Sequence, residues 1–168
     1  MSFLSDRWKR PINYLRISLT NACQLRCMYC DQRYIKPEEV KFLSLEKLKK
    51  VADATSKFQF TKVRLTGGEP LLHPEILQIV KLFTSIESVT DLSITTNGIL
   101  LKKFAFPLKE CGLTRINIGL NSVNPDTYTK ITGAEMLDEV IAGLEECKKA
   151  GFTRLKLNVV VIPELNDT

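Results

Sequence analysis

Tyr14-Leu15-Arg16-Ile17-Ser18-Leu19-Thr20-Asn21-Ala22-Cys23-Gln24-Leu25-Arg26-Cys27-Met28-Tyr29-Cys30 is the stretch around which the chain is organised. Its first seven residues alternate between polar and apolar and lie between Pro11 and Asn21. They read as a first strand. The loop that follows carries three of the chain's five cysteines, spaced C-x3-C-x2-C. Three thiolates that close in sequence face one centre only if the chain wraps around it. Soft thiolate ligands select zinc, copper or iron–sulfur clusters. A closed zinc site or an ordinary four-iron cluster takes four protein ligands; this loop supplies three, with no fourth nearby. The simplest inference is a four-iron, four-sulfur (4Fe-4S) cluster with one iron left open. Two plainer readings stand beside it. The three thiols are unrelated, or a zinc loop is completed by the lone histidine, His73, which more simply opens the second helix.

The remaining segments alternate in kind. Ser44 is placed to cap a helix carrying Leu45, Leu48, Val51 and Ala52 at helical spacing. Thr61 to Thr66 is a second strand, ending in Gly67-Gly68-Glu69-Pro70. Pro74 suits the first turn of a second helix with Ile76, Ile79, Val80 and Phe83 on its apolar face. Asp91 to Thr96 is a third strand, closed by the turn pair Asn97-Gly98. A third helix runs from Leu101 towards Cys111, disturbed at Pro107. Thr114 to Leu120 is a fourth strand, an amphipathic helix carries Leu137, Val140, Ile141, Leu144 and Cys147, and Thr153 to Ile162 is a fifth strand.

A faint repeat supports this order. Phe60-Thr61-Lys62-Val63-Arg64-Leu65, Leu113-Thr114-Arg115-Ile116-Asn117-Ile118 and Phe152-Thr153-Arg154-Leu155-Lys156-Leu157 resemble one another. Strands alternating with helices give a parallel sheet with right-handed crossovers. The α/β pattern of about five strand–helix units fits a curved partial barrel or an open doubly wound sheet. In both, chemistry belongs at the C-terminal ends of the strands, and every unusual motif here falls at such an end. The 168 residues are 44% hydrophobic and 26% charged, enough for one domain with a core. The net charge of +5 is scattered; it suits an anionic small molecule better than nucleic acid. No stretch is apolar and long enough to span a membrane, and Met1 to Arg10 has no secretory h-region. Cysteines grouped as metal ligands, without a secretion signal, fit a reducing cytoplasm. Cys111 and Cys147 stand in helix-like segments and read as core thiols.

Gly67-Gly68 lets backbone approach a neighbour without an intervening Cβ. Taken alone, it is also an ordinary strand-to-helix turn. With the cysteine loop, it resembles the radical S-adenosyl-L-methionine (SAM) family, whose signature is C-x3-C-x2-C with an aromatic, here Tyr29, before the last cysteine. The resemblance implies a partial parallel barrel in which Cys23, Cys27 and Cys30 hold three irons and SAM binds the fourth. Reductive cleavage of SAM then yields a 5′-deoxyadenosyl radical. It also implies that Gly67, Gly68 and Glu69 meet the methionine end of SAM. Arg10-Pro11-Ile12, Tyr14 to Thr20, Arg64 to Pro70, Thr95-Thr96-Asn97-Gly98 and Lys156-Leu157-Asn158-Val159-Val160 are similar to the GTP 3′,8-cyclases, which open molybdenum-cofactor (molybdopterin) synthesis. By that similarity Arg16, Arg64, Thr95 and Lys156 are GTP contacts, and Tyr29 and Gly68 are SAM contacts. Three cations at strand ends could also hold a triphosphate on charge grounds, and would equally serve as surface charge.

The sequence departs from that pattern. Asp31-Gln32 stands where Met-Pro is usual, and Gln24 where Asn is usual. The fourth strand ends Gly119-Leu120-Asn121 instead of Ser-Leu-Asp, which leaves Gly119 only its backbone for SAM. The family continues for about as much chain again, with a sixth strand and three cysteines for a second cluster. The expectation is therefore a single radical SAM core domain over residues 1–168, truncated before that region. Its exposed last strand edge would be covered by a partner or a dimer mate. The expected function is a radical SAM lyase of the GTP-cyclase type with a reductant not named by the sequence. The alternatives are a radical SAM protein for another substrate, such as a peptide, and a non-catalytic cluster- or zinc-binding remnant.

Overall fold

In the computed structural model, which describes residues 4–167, each strand lies beside the one before it in sequence. The strands are β1 (Tyr14–Ser18), β2 (Lys62–Thr66), β3 (Asp91–Thr96), β4 (Arg115–Gly119) and β5 (Leu155–Asn158). They form one sheet in the order β1-β2-β3-β4-β5, every pair parallel. Met1 to Phe3 of the N-terminal segment, and Thr168, lie outside the described residues. The helices are α1 (Leu45–Lys57), α2 (Ile76–Thr84), α3 (Leu101–Glu110), α4 (Pro125–Thr132) and α5 (Leu137–Lys149). The strand order settles which α/β architecture this is. A doubly wound sheet reverses its order at a switch point; this one never does. Right-handed crossovers then put all the helices on one face, and the sheet is the wall of a partial barrel, as expected.

Period-two alternation gives that wall two different faces. Val63, Leu65, Leu92, Ile94, Ile116 and Ile118 are buried against the helices, with Ile79, Val80, Phe83, Leu101, Leu108 and Val140 opposite them. The other face is polar. Arg16, Arg64 and Ser93 stand in register across β1 to β3, and Thr95, Asn117 and Lys156 across β3 to β5. Cys111 and Cys147 are buried in the core, as expected, and burial pushes the Cys147 thiol up to about 11.

Several elements differ from the sequence reading. β1 stops at Ser18 because Thr20 changes partner and pairs antiparallel with Phe42. β5 stops at Asn158 and does not reach Ile162: the Val160 N–H goes to the Asn121 side chain. Helix α3 runs through Pro107 without breaking. Helix α2 starts at Ile76, and Pro74 falls before it, not in its first turn. Helix α4 was not expected at all. Asn124 caps it by accepting from the Thr127 N–H, Pro125 occupies its first position, and Gly133 ends it with φ 74°. Near the start of α3, α5 passes so close that a Cβ on Gly143 would lie 2.8 Å from the Gly98 carbonyl oxygen. This close approach accounts for a glycine inside a helix.

Candidate functional site

The C-terminal ends of all five strands converge on one cavity of about 230 Å³. Cys23, Cys27 and Cys30 line it, all partly buried and all free thiols. Gly67 and Gly68 enter from β2, Thr95 and Asn97 from β3, Gly119 and Asn121 from β4, and Asn158 and Val160 from β5, with Arg16 and Tyr29 completing the wall. A separate hollow against the same loop is lined by Cys23 but by neither Cys27 nor Cys30.

The cysteine loop is held at both ends by backbone. On its entry side the Gly68 N–H donates to the Thr20 carbonyl at 2.7 Å and the Glu69 N–H to the Ala22 carbonyl at 2.6 Å. A Cβ on Gly67 would lie 2.5 Å from the Thr20 oxygen, and one on Gly68 2.1 Å from the Ala22 oxygen. The close approach that needs these glycines is therefore to the chain's own loop. On the exit side, Arg26 and Met28 donate their N–H groups to the Thr132 and Ile131 carbonyls at the end of α4, both at 2.9 Å. The unexpected helix thus anchors the loop. Its last carbonyls, which lack helical partners, fix the strip of chain between the first and third cysteines.

Glu69 does not line the cavity. It is fully buried, and its carboxylate accepts from the Leu71 N–H at 2.9 Å, the Thr96 hydroxyl at 2.8 Å and the Asn97 N–H at 2.7 Å. It braces the end of β2 to the end of β3. Tyr29, by contrast, faces the cavity. The Asn121 amide donates to its hydroxyl at 2.9 Å. Burial pushes Tyr29 up to about 12 and raises the Cys23 and Cys27 thiols. A cationic iron centre is what would draw off those thiol protons.

Of the residues read as site candidates, the structure brings nine to the cavity: Cys23, Cys27, Cys30, Tyr29, Gly67, Gly68, Gly119, Arg16 and Thr95. Arg64 and Lys156 lie on the same polar sheet face without lining it. Arg64 reaches the Ser93 hydroxyl at 3.4 Å. The zinc-loop alternative loses its fourth ligand. His73 is buried, its Nε2 meets the Leu43 carbonyl at 3.0 Å and its Nδ1 accepts from the Glu75 N–H at 3.1 Å, so neither nitrogen is free. Among the described residues no three of His, Cys, Asp and Glu are set for a single metal ion. Three half-buried thiols with no fourth ligand fit a cluster with one open iron. The Thr95 hydroxyl, buried without a protein partner, adds a polar atom for whatever fills the cavity. Asn97 and Asn121 were missed as site residues; the signal was a polar residue just past a strand end.

Burial gives Glu69 a measurable signature. It pushes the carboxyl from 4.5 up to about 7, against the pull of its three donors. A protonated Glu69 can reverse its bond with the Thr96 hydroxyl, which is able to accept. The folded chain thus holds this proton more tightly than the unfolded one. The stability Glu69 contributes is fully present below about pH 4.5 and is lost as pH rises to about 7. In urea unfolding across that range, Glu69→Gln should flatten the fall in midpoint; equal slopes in parent and variant contradict the assignment. The glycine contact has its own check. Gly68→Ala should lower the urea midpoint more than Gly151→Ala, where an added methyl meets nothing within 4 Å and the cost is that of the φ of 78° alone. Equal losses contradict a backbone clash at Gly68.

With this geometry in place, comparison with known proteins gives a consistent result. The family model described as Radical SAM superfamily matches residues 17–168. The chain is 43% identical over 166 residues to the GTP 3′,8-cyclase of Alkaliphilus oremlandii, covering 98% of this chain and 52% of that protein. It is 44% identical over 164 residues to that of Microcystis aeruginosa, covering 93% and 50%. The chain thus spans about half the length of the curated relatives it matches. Among solved structures, HydG, a maturase of the [FeFe]-hydrogenase, superposes with a TM-score of 0.72 at 16% identity, over 88% of this chain and 34% of that one. The structure of anSMEcpe with bound AdoMet gives 0.71 at 19% identity, over 88% and 44%. At these identities the structural matches speak to the fold alone, while the family model covers most of the sequence, cysteine loop included: the chain belongs to the radical SAM superfamily.

Proposed function

We propose that this chain is the cluster-bearing half of a radical SAM enzyme of the GTP 3′,8-cyclase type, acting in molybdenum-cofactor synthesis. The observation that carries this is the meeting of Cys23, Cys27 and Cys30 with five strand ends in one cavity, in a sequence 43% identical to one of those cyclases. In this reading the three thiolates hold a four-iron, four-sulfur cluster and SAM closes its open iron. When bound, that pair supplies reductive cleavage of a sulfonium–carbon bond, and hence hydrogen abstraction from a substrate.

The chain's own residues do the positioning. Tyr29, Gly67, Gly68 and Gly119 offer a ring face and backbone groups to SAM, and Glu69 serves it indirectly by fixing the two strand ends. A Cβ at Gly119 would have the Thr96 carbonyl at 3.8 Å as its nearest neighbour, so the wall there is open, not crowded. Arg16 in the cavity wall, with Arg64 and Lys156 on the same polar sheet face, would meet a triphosphate, and the Thr95 hydroxyl the nucleoside. Leu25 and Thr132 line the same cavity.

Among the described residues no helix is long and apolar enough to cross a membrane. A free-thiol site of this kind suits a reducing compartment, and we place it in the cytoplasm, with the reductant unassigned. The outer edge of β5 has no strand partner among the described residues, and Leu157, Val159 and Val161 are exposed beside it. Further chain or a second copy in a homodimer would cover that edge.

Anaerobic reconstitution with iron and sulfide tests the function. The protein should turn brown and, on reduction, release 5′-deoxyadenosine from SAM, faster with GTP present and with a cyclised GTP product. Cys23→Ser, Cys27→Ser and Cys30→Ser should each bring release to background. Release unaffected by all three substitutions contradicts the cluster assignment; release indifferent to GTP contradicts the substrate.

A further inference from the structure

Asn97 follows β3 directly and is held by more contacts than a turn residue needs. Its backbone N–H donates to the Glu69 carboxylate at 2.7 Å. Its side-chain Oδ1 accepts the Ile99 N–H at 3.1 Å. That second bond fixes which way round the amide sits, because a flipped amide would set two donors face to face. The Nδ2 hydrogens therefore point away from the turn. One goes to the Gln24 amide oxygen at 3.1 Å, the other towards the Cys23 sulfur at 3.8 Å. The second distance is long for nitrogen and oxygen but ordinary for a donor to sulfur.

We propose that Asn97 is a positioning residue that tunes the electron affinity of the cluster through Cys23. The inference rests on the reading of Cys23, Cys27 and Cys30 as cluster ligands. One-electron reduction adds negative charge that spreads over the irons and the ligating sulfurs. A donor aimed at a ligating sulfur stabilises the reduced form more than the oxidised form, so it raises the reduction potential. Asn97 lines the cavity, but it is neutral and its Nδ2 is engaged by Gln24 and Cys23, so its effect falls on the potential. Glu69, from the other side of the same residue, fixes where Asn97 stands. The buried carboxylate of the Gly-Gly-Glu turn thereby acts on the cluster at one remove, without touching it.

Two substitutions separate this role from simple bracing. Asn97→Asp keeps an oxygen for the Ile99 N–H, removes the donor and adds a charge. Asn97→Ser keeps a turn acceptor, removes the donor and adds no charge. The full chain is reconstituted with iron and sulfide and titrated with dithionite, with the reduced cluster followed by electron paramagnetic resonance (EPR). Both variants should keep the parent's iron content and show a lower midpoint. A net hydrogen bond of ordinary strength gives about a threefold drop in the reduction equilibrium, which is about 28 mV at 59 mV per tenfold for one electron. Asp should shift it further than Ser. Midpoints equal to the parent's in both variants, or loss of iron from both, overturn the proposal and leave Asn97 a brace. A parent chain that takes up no iron brings down the cluster reading itself, a distinct failure.

Discussion

Where β1 and β2 end, two main chains run so close together that one methyl group does not fit between them. Gly67 and Gly68 lie against the backbone of Thr20 to Ala22, and two short N–H to carbonyl bonds join the strips. Everything at the site depends on this contact. It sets where the chain leaves the sheet, and so where Cys23 stands. From the same turn, the Glu69 carboxylate reaches back to Thr96 and Asn97 and carries the reference frame to β3. At the far side of the loop the last carbonyls of α4 take the N–H groups of Arg26 and Met28. The cysteines are thus hung between rigid parts of the fold, though the loop has little regular structure of its own. Sites supported in this way keep their geometry without a ligand to organise them.

The sheet then divides the work. One face is apolar and is covered by helices; the other presents Arg16, Arg64, Ser93, Thr95, Asn117 and Lys156 in register. A parallel sheet is usually apolar on both faces, so this polar face is the departure that calls for a function. Ser93 and Asn117 are buried and satisfied by neighbouring carbonyls. The two arginines, Thr95 and Lys156 are left with capacity for an anionic, hydroxyl-bearing ligand. The strand-end cavity above this face holds the thiols. In the proposed reading, cofactor chemistry and substrate charge are stacked along one barrel interior, which is what a reaction between two bound molecules requires.

Much of this was legible in the residues, and the failures have causes. Strand β3 was read to the residue, Asp91 to Thr96, because its alternation is strict and a turn pair follows. The long fifth strand was over-read: Thr153 to Ile162 is β-prone throughout, but Asn121 takes the Val160 N–H out of the ladder. Helix α4 was missed because its eight residues make only about two turns, too short to repeat the face that buries Tyr128, Ile131 and Thr132. Asn124-Pro125 and Gly133 did mark its two ends. The metal spacing of Cys23, Cys27 and Cys30 was plain from sequence. What a motif cannot disclose is direction. Glu69 reads as a ligand contact, and in the structure its carboxylate holds the Leu71 and Asn97 N–H groups and the Thr96 hydroxyl; Asn97 reads as a turn, yet its amide faces a sulfur.

The central claim is that three cysteines hold a cluster with one iron free of protein ligands. The EPR spectrum of the reduced, reconstituted chain, recorded with and without SAM, tests it most directly. A cluster with a vacant iron takes SAM as a ligand, and its g-values shift on addition. A spectrum identical in the two samples, with iron and sulfide present in cluster amounts, would mean that no iron is open and that the account is wrong at its centre.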